Sequence, residues 1–400
     1  MDFRLLRLIF KVGRTFAFSP PSTKITPASN KQKMYAYFMA SFYTVAVFVA
    51  CIYRYSYYKH YIHIKLIIQG ILDGSLYVFN IYTIITSVKK RPQWYILIKN
   101  LRLTADTSAV SYKTNGFSFI ISNVFFWANM FYMTYIFTKA MGWDYYRLYA
   151  VEYVQLYVQF MINFLIYTIL TMLKARYQMT SLSLGRHICL VTKLERRSLA
   201  KQYPLSFLKK IKYDVCILKE TVDVFNDIFG WPVLFIILYA SLQVLLYMDT
   251  LFLKSSTRSL EAILCNISMI LLFCVSFSKL HPNLFILELQ VGATVNILLC
   301  DFIAHEAEKI LALSYKLERH FVNGIVSEKE ELYTFINVLV DNFPKFSAAR
   351  FFRIERSTIF RIFEAVTTFV IIMIQFESNS NSFDVKACHH YCLSCNCTMF

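Results

Sequence analysis

Apolar residues in this chain come in runs too continuous for a half-buried strand or for the apolar stripe of a soluble helix. Six runs stand out: 35–53, 64–87, 117–138, 149–173, 229–253 and 357–376. About 20 residues at ~1.5 Å rise cross a hydrocarbon core of ~30 Å, so each run is long enough to span a membrane as a helix. A further apolar stretch, 260–301, is divided by Pro282 into 260–279 and 283–301 and supplies one or two more. No ladder of short alternating strands marks a membrane barrel. The pattern predicts an all-α membrane protein.

The polar positions set the orientation. Of 42 Lys and Arg, 32 fall in four segments: 1–34, 88–116, 174–228 and 302–356. The alternate loops are nearly bare, with Arg54 and Lys59 in one and Lys139 and Arg147 in another; beyond the last span there is only Lys386. Basic loops stay in the cytoplasm, so the N-terminus is expected inside and the C-terminus outside. That requires an odd number of spans, and seven fits. The topology is inverted relative to a G-protein-coupled receptor, which starts outside.

Composition agrees. Hydrophobic residues make up 57% and charged residues 17%, with a mean hydropathy of +0.45. Globular chains carry about 25% charged residues. The net charge of +17 sorts by loop, so a nucleic-acid partner is not expected. The first twenty residues are basic and amphipathic, and their apolar run is too short for a signal peptide. They read as an interfacial helix on an anionic membrane face.

The expected organisation is a basic segment 1–34, four spans within 35–173, a helical extension 174–228, two spans within 229–301 with an outer segment 254–282, a helical region 302–356, a last span 357–376, and a Cys-rich tail 377–400. The two long basic segments carry apolar residues at helical spacing, such as Val215, Leu218, Val222 and Phe225, or Ile310, Leu313 and Leu317. They predict a packed cytoplasmic helical layer.

The last run holds the sharpest motif. Thr368 and Phe369 precede five hydrophobic residues, then Gln375 and Phe376. An unpaired amide in hydrocarbon costs several kcal/mol, so Gln375 has to face protein or water. Helical spacing puts Thr368, Ile371 or Ile372, and Gln375 on one face. Gln375 either lines an aqueous path or bonds a neighbouring helix of its own subunit.

Other polar residues lie in or near the spans. Asp73 sits near the middle of the second. Intramembrane acids face the bundle or a cavity, so Asp73 is a pocket contact or pairs with Asn123 or Asn129. Trp127, Asn129 and Tyr132 of the third span, with Tyr153 and Tyr157 of the fourth, mix aromatics and amides as a small-molecule pocket does, or form an interfacial aromatic belt.

The tail contains Cys388, His389, His390, Cys392, Cys395 and Cys397. Placed outside the cell, it reads as disulfide-bonded or disordered rather than as a metal site. Sequons at Asn266 and Asn396 are glycosylation candidates. His305-Glu306 lacks the second histidine of a zinc-protease helix, and neither a phosphate-binding glycine loop nor a Gly-x-Ser-x-Gly elbow is present. Neither an enzyme nor a cofactor is expected.

The Thr-aromatic-(five hydrophobics)-Gln-Phe motif at 368–376 resembles the last-helix signature of the insect gustatory receptors, with Phe369 where Tyr is usual. Cys300 followed by Glu306-Ala307-Glu308-Lys309 resembles the family's Cys and Glu-Ala-x-Lys pattern at the inner end of the sixth helix. The resemblance favours 283–301 as the sixth span. It implies a tastant-gated, nonselective cation channel in the plasma membrane of chemosensory neurons, built from four like or mixed subunits around a central pore. The seventh helix would line that pore, with a gate on Ile372, Gln375 and Phe376. Bitter or other small molecules would bind in the outer half of each subunit. A secondary transporter or a G-protein-coupled receptor are the competing readings.

Overall fold

The computed structural model describes residues 4–20, 29–58, 63–106, 116–143, 147–195, 205–252, 289–320, 326–372 and 375. The sequons, Phe376, the outer segment 254–282 and the tail lie outside them.

Helix α1 (Arg4–Thr15) buries Leu5, Leu6, Ile9 and Phe10, one face at helical spacing. It ends in a Schellman turn. The Phe18 amide donates to the Gly13 carbonyl at 3.0 Å, the Ala17 amide donates to Arg14 at 3.3 Å, and Ala17 adopts φ 59°. Ser29 and Gln32 then form a capping box, with the Ser29 amide donating to Gln32 Oε1 at 3.2 Å and the Gln32 amide to Ser29 Oγ at 3.4 Å. That box starts α2 (Asn30–Tyr58).

Along α2, Phe38, Phe42, Val45, Phe48 and Ile52 are exposed while Ala36, Tyr43 and Ala50 are buried. This helix touches protein with a narrow stripe and offers hydrocarbon on the rest, which suits a bilayer as solvent. It packs on α3 (His63–Lys89). Next comes α4 (Arg91–Asp106), which buries Trp94, Leu97, Ile98 and Leu101 against the bundle. A basic loop is expected over 88–116; the i, i+3, i+4, i+7 spacing of these four residues is the physical reason part of it is a packed helix instead.

Helix α5 (Gly116–Met141) is followed by a short 3₁₀ turn, Arg147–Tyr149, that leads into α6 (Ala150–Glu195). Helix α7 (Leu205–Phe252) contains Pro232, and α8 (Leu289–His320) and α9 (Val326–Asp341) follow. At ~1.5 Å per residue, the 46 residues of α6 and the 48 of α7 are each about twice as long as a bilayer crossing needs. Both therefore continue beyond the apolar runs that start or end them.

Among the described residues, four helices are long and apolar enough to cross a membrane: Asn30–Tyr55, Leu66–Lys89, Ala150–Leu190 and Ser206–Leu246; Phe119–Tyr132 is a shorter apolar stretch. The most extensive packing is between α6 and α8. Gly292 makes it possible, since a Cβ there would sit 1.8 Å from Asn163 Nδ2. Beside it Asn296 Nδ2 donates to Asn163 Oδ1 at 2.5 Å, a buried amide pair joining the two helices.

The described chain closes with a two-strand antiparallel hairpin, β1 (Ser347–Ala348) and β2 (Phe352–Arg353), and a last helix, α10, over 356–372. The hairpin is a minor departure from an otherwise all-α chain.

Candidate pore helix and ligand-contact residues

Helix α10 has two faces. Ile359, Val366 and Val370 are buried; Ile359 joins the main core, while Val366 and Val370, with Ile362 and Phe363, pack on Val244 and Leu245 of α7. Thr368, Phe369, Ile371 and Ile372 are exposed, as is Gln375. Thr368 Oγ1 donates back to the Glu364 carbonyl at 2.9 Å, so its hydroxyl is held on that outer face. The structure thus puts the motif residues on the side that points away from the protomer's own core.

The base of α10 is built by residues that sequence reading missed. Asp301 Oδ1 accepts from the Arg356 amide at 3.3 Å, and Thr358 Oγ1 accepts from the Glu355 amide at 3.2 Å. First-turn amides lack intrahelical partners, so these bonds fix where the helix begins. Asp301 also places a carboxylate at a helix N-terminus, the favourable end. It follows Cys300, whose side chain is buried, so the Cys300 stretch of α8 and the last helix meet here. Glu306 pairs with Lys309 at 2.8 Å on the same helix, and Ala307 is buried.

The hairpin before α10 is clamped to α7. Asn226 Nδ2 donates to the Lys345 carbonyl at 2.7 Å, and Asn226 Oδ1 accepts from the Ser347 amide at 3.1 Å. Gly230 lets the turn lie close, because a Cβ there would be 3.0 Å from the Ala349 nitrogen. The turn itself holds Ala349 at φ 50° and Arg350 at φ 65°, with the Phe351 amide donating to Ala348 at 2.9 Å. Two successive positive φ values make a primed hairpin turn, normally served by Asn-Gly. Nearby, Lys90 Nζ donates to the Asp227 carbonyl and lies 3.4 Å from its carboxylate.

The pocket candidates separate into two groups. Tyr157 donates to Asn123 Oδ1 at 3.0 Å, and its ring lies 5.3 Å from Trp127 and 5.5 Å from Phe126. Phe16, from the turn after α1, reaches the same ring at 5.5 Å. Asn129 is half-buried, and its Nδ2 has no hydrogen-bond partner among the described residues. Tyr132 is exposed and Tyr153 half-buried.

Asp73 belongs elsewhere. Arg54 Nη1 lies 3.3 Å from Asp73 Oδ2 and 3.0 Å from Glu152 Oε2, and Gln69 Nε2 donates to Asp73 Oδ1 at 3.1 Å. The Arg54 guanidinium also sits 5.0 Å from the Tyr149 ring centroid. The three charged side chains are 4%, 10% and 12% exposed, a buried ion cluster joining α2, α3 and α6. Its arginine replaces the span-three asparagines expected as partners of Asp73. Arg54 read as a loop residue because it follows an apolar run; one cation at such a boundary gives no sign of being drawn inward.

The described residues form a helical membrane bundle whose last helix exposes a face carrying Thr368, Ile371, Ile372 and Gln375, and among them no nucleophile, acid and base are assembled. Over residues 6–380 the chain matches the family described as 7tm chemosensory receptor. The chain belongs to this family of insect chemosensory receptors, and it is a non-catalytic, multi-pass membrane protein. Among curated relatives, it is 36% identical over 86 residues to Gustatory receptor 68a of Drosophila melanogaster, covering 21% of this chain and 20% of that protein. It is 32% identical over 114 residues to Gustatory and pheromone receptor 32a of the same species, covering 28% and 22%. The matched stretches thus span about a fifth of those relatives' length. Among solved structures, the olfactory receptor OR5 from Machilis hrabei in complex with eugenol shares the fold, with a TM-score of 0.60 and 12% identity over 94% of this chain and 100% of that one. A second structure of the same receptor gives a TM-score of 0.56 and 11% identity over 93% of this chain and 98% of that one.

Proposed function

We propose that this chain is a subunit of a tastant-gated, nonselective cation channel in the plasma membrane of chemosensory neurons. Four subunits, identical or mixed, surround a central pore lined by α10, with the N-terminus in the cytoplasm. The observation that carries this reading is the two-faced last helix: apolar residues pack on α7, while Thr368, Ile371, Ile372 and Gln375 stay exposed.

Repeated around an axis, that face gives a hydroxyl ring, an isoleucine constriction and an amide ring. A hydrophobic constriction gates by dewetting, and neutral oxygens replace part of an ion's hydration shell. Phe376 would complete the gate at the outer end. Trp127 and Tyr157, in ring contact, together with Asn129, Tyr132 and Tyr153 of the same two helices, are the residues we assign to a small bitter compound or another neutral tastant. The buried Asn129 amide nitrogen is a donor that such a ligand's oxygen would satisfy. Gustatory relatives support taste as the sense served, and eugenol in a related receptor supports small organic ligands.

Single-channel recording of Gln375→Ala tests the pore assignment. The expected outcome is altered unitary conductance or cation selectivity; a record indistinguishable from the unsubstituted channel argues that the amide lies off the ion path.

A further inference from the structure

Helix α1 carries a charge stripe that ion permeation does not use. Arg7, Lys11 and Arg14 recur at i, i+4 and i+7, and all three are exposed. The other face is filled by protein: Phe10 meets Trp94 edge-on at 5.7 Å, and Trp94 meets Phe229 at 5.2 Å. An interfacial amphipath normally sinks its apolar face among acyl chains. Here that face is already occupied, and beside the exposed Leu8 it is the charged face that is left to meet the membrane.

More cations gather at the same end of the bundle. Tyr35 OH donates to the Thr15 carbonyl at 2.6 Å, and Ser87 Oγ donates to Ala17 at 2.8 Å. These bonds hold the end of α1 where α2 begins and α3 stops. The exposed Lys31, Lys33 and Lys89 lie at those two helix ends. Lys89 also closes the apolar span Leu66–Lys89, so a bilayer matched to that span would have the cluster at its edge. No Asp or Glu occurs in the sequence between Asp2 and Asp73 to offset it.

We propose that the exposed face of α1, with the lysines heading α2 and ending α3, is a docking surface for anionic phospholipid headgroups of the cytoplasmic leaflet. The leaflet rests on the cytoplasmic N-terminus proposed above. Negative lipid near such a surface attracts each Lys or Arg by about 1 kcal/mol, roughly fivefold in affinity per residue. Because the contact is chiefly one of charge, it weakens with added salt.

The test uses the full-length receptor in phosphatidylcholine nanodiscs, titrated with fluorescent phosphatidylinositol 4,5-bisphosphate. Unsubstituted receptor is expected to bind saturably. Arg7→Gln, Lys11→Gln and Arg14→Gln combined should weaken binding on the order of a hundredfold. Arg7→Lys with Arg14→Lys, which keeps the charge, should bind as before. Equal binding by the Gln triple variant, or equal loss in the charge-keeping variant, overturns the proposal. An N-terminal epitope tag reached by antibody on unpermeabilised cells overturns the leaflet assignment whatever the binding result, so the two failures are distinct.

Discussion

At the residue scale, charge burial decides more than hydrophobicity does. Arg54 serves two carboxylates at once while only 4% exposed, and Asp73 and Glu152 are themselves only 10% and 12% exposed. Removing one member of a buried ionic group costs about 3–5 kcal/mol because the others are left uncompensated. Arg54→Ala is therefore expected to reduce surface expression and lower the melting temperature of the purified receptor. Adding Asp73→Asn and Glu152→Gln should restore much of both. A single Arg54→Ala that melts like the parent would show that the cluster carries no stability. Sequence alone exposed half of this: Asp73 stood out as an acid inside an apolar run, but Arg54 sat among loop residues and only the fold brings it back.

At the scale of elements, the long apolar helices were legible because lipid demands unbroken runs, and the motif face of α10 followed from helical spacing. The packed part of the 88–116 segment and the β1–β2 hairpin were not. The hairpin's signal is absent: Ala349-Arg350 occupies positions where Asn-Gly is expected, and the strands are two residues each. Tertiary contacts impose the turn through the two bonds of Asn226 and the close approach at Gly230. Asn226→Ala should destabilise the receptor by about 1–3 kcal/mol by stranding both hairpin groups. Ala349→Gly should stabilise it by about 1 kcal/mol by relieving the left-handed backbone. Both are read by thermal unfolding of the purified protein. Opposite signs would mean that the hairpin is not held as described.

At the scale of the whole molecule, the channel account joins three things: a bundle built on α6 and α8, a last helix seated on α7 and capped by Asp301, and an exposed stripe on that helix awaiting like stripes from other subunits. The expected orientation rests on the basic loops, since 32 of 42 cations fall in alternate segments. How subunits meet was unreadable, because an exposed Ile371 or Ile372 reads the same in a pore, in lipid or in a core. The direct measurement is cysteine accessibility during evoked current. Cysteines placed one at a time at Thr368, Ile372 and Gln375, and at Val366 and Val370, are treated with a water-soluble thiol reagent, with the unsubstituted channel correcting for the exposed Cys189 and Cys216. The account predicts current block at the first three positions and none at the two valines. Block at Val366 and Val370 with none at Thr368, Ile372 and Gln375 would contradict it.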